Sequence, residues 1–210
     1  MKKIVIVIIC ILFGAALIPD INQNNVMASQ QTIAQKIIRF HVIANSDSNS
    51  DQNLKLKVRD KVLQFISPKL KDSKNIAESR KILKDNTTKI KSICEETIKN
   101  NGYNYPVQIT LSNENFPVKS YGNITLPQGN YEAYRIIIGS GKGHNWWCVM
   151  FPPLCFVDIT KGQVSQDKTK EEMQKVLNSD EMKLVDNTDV EDNKIHIKFK
   201  LVEFIEKLIK

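Results

Sequence analysis

Residues 139–156, GSGKGHNWWCVMFPPLCF, bring together the side chains of this chain that are best suited to chemistry. They include His144, Cys148 and Cys155, while His41 lies far upstream. A cysteine thiolate beside a histidine base can act as a nucleophile, and two cysteines with two histidines can bind zinc. Cys148 follows His144 by four positions, about 13 Å along a strand at ~3.3 Å per residue, so His41 is the freer candidate for a base.

Spacing and context disfavour both a zinc site and a phosphate-binding loop. Six residues lie between Cys148 and Cys155, whereas an ordinary zinc knuckle has about two to four. The glycines at 139, 141 and 143 lead into Asn145-Trp146-Trp147, which is strand sequence, whereas a phosphate-binding glycine loop leads into a helix. We therefore predict a hairpin loop between two strands, with no metal ion and no cofactor.

The first 28 residues are typical of a secretory signal peptide. A short positive region, Met-Lys-Lys, precedes an unbroken apolar run at residues 4–18, and small residues stand at Val26 and Ala28 before Ser29. This run is shorter than the roughly 20 residues that a transmembrane helix needs. We predict export and cleavage between Ala28 and Ser29, with an uncleaved membrane anchor as the alternative.

Export affects the oxidation state that is expected of the cysteines. Outside the cytoplasm, neighbouring thiols tend to be oxidised, and a hairpin turning at Pro152-Pro153 would bring Cys148 and Cys155 together. A disulfide closing so short a loop would contribute about 2–3 kcal/mol on the chain-entropy model. Cys94 stands alone on a predicted helix, where a buried small apolar side chain is expected.

The two tryptophans are candidates for a binding surface. Adjacent residues of a strand point to opposite faces, so one of Trp146 and Trp147 can enter the core while the other stays near the surface. Together with Phe151, Pro152 and Pro153, an exposed tryptophan has the composition of a protein-binding hot spot. Burial of both tryptophans in the core is the alternative.

The charge of the chain is modestly basic. A net charge of +7 over 210 residues comes from lysines that are spread along predicted helices, and the sequence has no basic run interleaved with aromatic residues. Outside the cell this balance suits anionic lipid headgroups or cell-wall polymers, so a membrane surface is a candidate partner and nucleic acid is not.

Periodicity predicts a single domain at residues 36–210, after a linker at 29–35, with the order β-α-α-β-β-β-β-α-β-α. The fold class is α+β, with a mixed or antiparallel sheet covered by helices. The strands are predicted at 36–44, 106–112, 131–138, 146–151, 154–159 and 194–200, and residues 113–130 are predicted as a loop. The helices are predicted from Ser48 to the residue before Pro68, and at 73–100, 169–177 and 201–210.

Four blocks of sequence resemble the stage II sporulation protein R family. They are RFHVIANSD at 39–47, LKLKVRD at 54–60, YGN at 121–123 with PQGNYEAYR at 127–135, and GKGHNWWCVMFPPLCFVD at 141–158. The last block is long and unusual, so it is the most specific. The resemblance covers residues 37–160, is weaker in the helices, and is almost absent from residues 161–210.

The resemblance implies a secreted signal of endospore-forming bacteria. Such a protein is released from the forespore into the intermembrane space, where it triggers a membrane-embedded aspartic peptidase of the mother cell that cleaves the pro-sequence of sigma-E. No catalytic activity of its own is implied. The alternative is an exported cell-wall or peptide hydrolase that uses His41, His144 and Cys148 or Asp158.

On this interpretation the residues of the motifs act as a recognition surface. The candidates for partner binding are Arg39, His41, Asn45, Asp47, Lys142, His144, Asn145, Trp146, Trp147, Phe151, Pro152 and Pro153.

Overall fold

The computed structural model describes residues 30–156 and 166–188. It contains six strands: β1 (Ile38–Ile43), β2 (Val107–Phe116), β3 (Lys119–Tyr121), β4 (Ile124–Leu126), β5 (Gly129–Ile138) and β6 (Asn145–Phe151). Four of them form a sheet in the order β2-β5-β1-β6, in which β1 is parallel to β5 and antiparallel to β6. The predicted α+β class with a mixed sheet is confirmed.

Two long helices, α1 (Asn49–Leu70) and α2 (Ile76–Asn100), cover one face of this sheet. Each begins at a side-chain cap, because Ser48 accepts a hydrogen bond from the Asp51 N–H and Asn75 accepts one from the Glu78 N–H. The main core lies between these helices and the sheet. Its fully buried side chains include Phe40, Val42, Val58, Leu83 and Ile136.

Smaller elements cover the opposite face of the sheet. They are the β3–β4 hairpin, a 3-10 turn at Leu154–Phe156, and the helices α3 (Gln166–Gln174) and α4 (Ser179–Val185). Ile33, Val149 and Met173 belong to the second core that these elements share. Ile33 is part of the predicted linker, but residues 30–35 are helical and this side chain is buried. Across the described ranges, no helix has the length and apolar character needed to cross a bilayer.

The loop at residues 139–144 does not form the predicted hairpin. β5 and β6 are not neighbours, because β1 lies between them and pairs with both. The loop therefore passes across the end of β1. As a result β1 is a central strand, and all six of its residues are buried.

Three other predictions of element bounds are wrong in detail. α1 continues through Pro68 to Leu70, since a proline in the last turn removes only one backbone hydrogen bond. Residues 113–130 are not a loop, because β2 extends to Phe116 and the β3–β4 hairpin follows. Residues 154–156 form a 3-10 turn and not the start of a strand.

The remaining predictions concern the C-terminal part of the chain. α3 corresponds to the helix predicted at 169–177 with its bounds shifted towards the N-terminus, and α4 was not predicted. The rest of the strand predicted at 154–159, the strand at 194–200 and the helix at 201–210 lie outside the described residues.

Candidate functional site

Two loops from the most distinctive motifs pack against each other at one end of the sheet. Residues 44–48 follow β1 and residues 139–144 join β5 to β6; these segments are called the paired loops below. Ser140 donates its backbone N–H to Oδ1 of Asn45 (2.9 Å) and its hydroxyl to the Asn45 carbonyl (2.6 Å). The Lys142 N–H donates to the same carbonyl (3.2 Å). Asn45 thus holds the second loop through both its side chain and its backbone.

The glycines allow this close approach of the paired loops. A Cβ atom on Gly139 would lie 2.3 Å from Oδ1 of Asn45, and one on Gly143 would lie 2.3 Å from the Ser46 carbonyl oxygen. The Gly143 N–H also donates to the Ala44 carbonyl (3.0 Å). Gly143 thus makes room for the Ser46 backbone and Gly139 for the Asn45 side chain, so neither glycine requires a phosphate ligand.

Asp51 connects the paired loops to the first turn of α1. Its Oδ2 accepts hydrogen bonds from the Asn45 amide (2.9 Å) and the Ser46 hydroxyl (2.5 Å). Burial by itself raises the pKa of Asp51, but the hydrogen bonds from Ser46 and Asn45 outweigh it, so the pKa lies below its usual value. The carboxylate is therefore a structural acceptor that fixes the loop after β1.

His144 and Asp47 form a pair on the exposed rim of the paired loops. Oδ1 of Asp47 accepts the backbone N–H of His144 (2.6 Å) and also contacts its Nδ1. The backbone hydrogen bond is the main cause that lowers the pKa of Asp47. The two side chains remain 79% and 53% exposed. They are thus oriented but open to solvent, and Lys142 is exposed beside them.

Trp146 and Trp147 lie on opposite faces of β6, as predicted, and both are half-buried. On the side of the helices, Trp146 packs edge-on against Phe40, with ring centroids 5.7 Å apart. The Arg59 guanidinium lies 4.8 Å from the Trp146 ring centroid. Part of Trp146 thus belongs to the main core, and its outer surface is covered by a cation.

On the other face, Trp147 belongs to an aromatic cluster around His41. The two rings stack at a centroid distance of 4.9 Å, and Phe116 contacts both. Neither ring nitrogen of the buried His41 has a hydrogen-bond partner. Burial lowers its pKa to about 4, and the positive charges of Arg135 and Arg39 act in the same direction. His41 is therefore a neutral ring in this cluster at neutral pH.

Arg39 is fully buried under the same aromatic residues. Its guanidinium carbon lies 4.3 Å from the Phe116 centroid and 4.8 Å from the Tyr131 centroid, and Nη2 donates to the Tyr121 hydroxyl (3.2 Å). Among the described residues no carboxylate pairs with it, and its Nε and Nη1 have no partner. The Arg39 guanidinium is thus stabilised mainly by the faces of aromatic rings.

Cys148 and Cys155 form the predicted disulfide, with their Cα atoms 5.8 Å apart. Cys94 is free and buried, and burial raises the pKa of its thiol to about 12. Other side chains at this turn give little surface: Phe151 and Pro152, which are joined by a cis peptide bond, are buried. Pro153 and Asn145 are half-buried.

The described residues do not bring His41, His144 and Cys148 of the hydrolase alternative together, and Asp158 lies outside the described residues. Cys148 is bonded to Cys155, and it is the cross-strand partner of Phe40, whereas His41 opposes Trp147 on the other face of the sheet. His144 lies on the solvent-exposed rim of the paired loops. Within the described ranges, no cluster of three or more His, Cys, Asp or Glu side chains could hold a metal ion.

Several residues that build this region were missed by sequence reasoning. Arg59, Phe116 and Lys119 contact the tryptophans or His41. The charges of Glu114 and Arg135 act on His41. All five come from distant segments. Alternation along β2 and β5 could have placed the last two on one face of the sheet. No local signal indicates that Lys119 lies over Trp147.

Comparisons with known proteins agree on one family. The family model for stage II sporulation protein R matches residues 34–161. Stage II sporulation protein R of Bacillus subtilis (strain 168) is 37% identical over 223 residues, covering 99% of this chain and 99% of that protein. No solved structure matches. This chain is therefore a sporulation protein that belongs to the stage II sporulation protein R family.

Proposed function

We propose that this protein is an exported signal of endospore formation that triggers the membrane-embedded aspartic peptidase processing pro-sigma-E. The family supports a role in sporulation, and the signalling role is the one that the sequence resemblance implies. The protein acts as a ligand of the peptidase and not as an enzyme. Its site of action is the space between the forespore and mother-cell membranes.

The main support for this proposal is that the most distinctive motifs fold into one surface whose loops are held by hydrogen bonds and a disulfide. Hydrogen bonds fix the paired loops to each other and to α1, and a disulfide closes the end of β6. Of the groups named for the hydrolase alternative, Cys148 is bonded to Cys155 and His41 is buried, which favours a binding role. A pre-ordered surface of this kind suits binding, because little conformational entropy is lost when a partner docks.

The disulfide also supports export. Disulfides form and persist in oxidising compartments and are rare in the cytoplasm. The predicted cleavage between Ala28 and Ser29 would release residues 29–210 as the mature form. N-terminal sequencing of the extracellular protein tests this step, and a start at Met1 would indicate an anchored ligand instead.

A two-compartment assay tests the signalling role. Mature protein is supplied from outside cells that make the peptidase and pro-sigma-E, and conversion of pro-sigma-E is followed by immunoblot. We expect conversion with the wild-type protein and none in cells that lack the peptidase. Absence of conversion by folded wild-type protein in cells that contain the peptidase would refute the proposal.

The same assay separates the ligand from the hydrolase. A ligand tolerates Cys148→Ala combined with Cys155→Ala as long as the fold persists, whereas a hydrolase that uses Cys148 loses all activity. Circular dichroism of the double variant checks the fold. Complete loss of signalling by a folded double variant would favour the hydrolase.

A further inference from the structure

We infer that the sheet surface around Trp147 binds an acidic segment of a partner protein. This surface, named the Trp147 patch below, consists of Trp147, Val118, Lys119, Arg135 and Glu114. The inference rests on the proposed function, which requires a surface that recognises a protein. It adds a binding surface on the sheet, separate from the paired loops, and the chemistry of its counterpart.

The apolar part of the Trp147 patch is exposed yet held in place. Trp147 stacks on His41 and meets the edge of Phe116 at 5.0 Å between centroids, so its ring has a fixed orientation. Val118 is 55% exposed, more than any other large hydrophobic side chain within the described residues. Lys119, the next residue in the chain, lies over the Trp147 ring. A partly exposed tryptophan with a fixed ring orientation is a typical anchor for a partner, and Val118 adds an exposed aliphatic side chain one residue before Lys119.

The charges around this anchor favour an acidic partner. The Lys119 ammonium lies 5.5 Å from the Trp147 centroid and has no carboxylate partner among the described residues. Arg135 pairs with Glu114, which is the single carboxylate of the patch. Beneath them lies the buried Arg39, also without a carboxylate. Two partly exposed positive groups, Lys119 and Arg135, therefore accompany one carboxylate, and a partner carboxylate would complement the excess positive charge.

Unpaired polar atoms lie directly under the same surface. Both ring nitrogens of His41 and Nε of Arg135 are buried without a hydrogen-bond partner. Buried polar groups in native proteins are nearly always hydrogen-bonded, so these unpaired atoms suggest that a binding partner supplies the missing contacts. Arg135 carries more donors than Glu114 uses, and a carboxylate docked beside it would find a charged donor.

A protein segment fits the Trp147 patch better than a lipid surface. Binding to anionic lipid usually depends on about four to eight lysine or arginine side chains near the surface. The patch has one lysine, one partly covered arginine and a carboxylate that would repel lipid phosphates. A narrow cationic site beside an apolar anchor instead matches a peptide that presents a carboxylate next to an apolar side chain.

A peptide-binding measurement tests the inference. The protein carries Trp146→Phe, so that Trp147 alone reports by fluorescence, and the ligand is a labelled peptide of about twelve alternating Glu and Leu residues. Its Gln–Leu counterpart is the uncharged control. Lys119→Glu reverses the charge in the patch, and Lys84→Glu makes the same change in net charge at an exposed position of α2, across the sheet.

We expect the Glu–Leu peptide to bind and to change the Trp147 emission, and the Gln–Leu peptide to bind at least about tenfold more weakly. Lys119→Glu should weaken binding by about tenfold or more, because one attraction is replaced by one repulsion, and Lys84→Glu should have little effect. Equal losses in both variants, or no loss in either, would overturn the inference. So would binding of phosphatidylglycerol vesicles, or a dimer in sedimentation, that depends on Lys119 in the absence of peptide binding.

The signalling assay separates this inference from the proposed function. If wild-type protein triggers processing and folded Lys119→Glu does so equally well, the inference about the Trp147 patch is wrong and the signalling role stands. If the wild-type protein does not trigger processing, the proposed function itself fails, whatever the peptide measurement gives. The inference is supported when Lys119→Glu lowers both peptide binding and signalling while Lys84→Glu lowers neither.

Discussion

Gly143→Ala tests whether the close packing of the paired loops is needed for the fold. The added Cβ would lie 2.3 Å and 2.6 Å from backbone atoms of Ser46 and 2.9 Å from the Ala44 side chain. Backbone atoms on a hydrogen-bonded loop cannot rotate away, so the loops must separate by about 1 Å. Separation weakens two backbone hydrogen bonds, Gly143 to Ala44 and Lys142 to Asn45, each worth about 1 kcal/mol. With the overpacking itself, we expect a loss of about 3 kcal/mol in the free energy of unfolding.

Gly102→Ala is the matched control, because it separates crowding from backbone conformation. Gly102 has a φ of +83° and open space around its Cβ position, whereas Gly143 has no left-handed φ. The free energy of unfolding of the control should therefore fall by only about 1 kcal/mol, which is the cost of placing alanine in a left-handed conformation. Urea denaturation followed by far-UV circular dichroism measures both variants. Equal losses, or a loss below about 1 kcal/mol for Gly143→Ala, would refute the argument that these loops require a glycine for space.

Three further predictions follow from the cysteines and the buried histidine. Cys148→Ala with Cys155→Ala should cost about 2–3 kcal/mol of unfolding free energy in urea denaturation, because a short loop is no longer closed; unchanged stability would contradict the role of the disulfide. His41 has a pKa lowered to about 4, so its contribution to stability is complete above its unfolded pKa of 6.5 and is lost as the pH falls from 6.5 towards 4. The loss should reach up to about 3 kcal/mol, and His41→Phe should remove this part of the pH dependence of unfolding. Cys94, with a pKa raised to about 12, should resist iodoacetamide at pH 8 in the native protein and react after unfolding, as mass spectrometry can show.

Local patterns in the sequence predicted the elements that depend on neighbouring residues. Alternation predicted β1 and the first part of β2, and the beginning of α1 was predicted at Ser48, which caps it. The disulfide was predicted because a turn between Cys148 and Cys155 is also a local feature. Each of these features depends on residues within a few positions of one another, so periodicity and turn chemistry were sufficient.

Long-range pairing could not be predicted in the same way. The insertion of β1 between β5 and β6 joins residues that are about ninety positions apart, such as His41 and Arg135. Alternation assigned Arg39 and His41 to the less apolar face of β1, and nothing near them indicates that Phe116 and the β3–β4 hairpin cover this face. The hairpin predicted around the glycines was wrong for the same reason, since the backbone that packs against Gly143 comes from Ser46. Gly139 and Gly141 have the left-handed φ that favours glycine in a loop.

The central position of β1 has a consequence for a chain that crosses a membrane from its amino terminus. β1 emerges early, but both of its partners, β5 and β6, belong to the last third of residues 38–151. Until residue 151 has emerged, the backbone groups of β1 that face β6 have no hydrogen-bond partners. β5 cannot take the place of β6, because it pairs with the other side of β1. For the proposed export, strand order would therefore set the earliest point at which this sheet can close, because β6 must cross the membrane before β1 is paired on both sides.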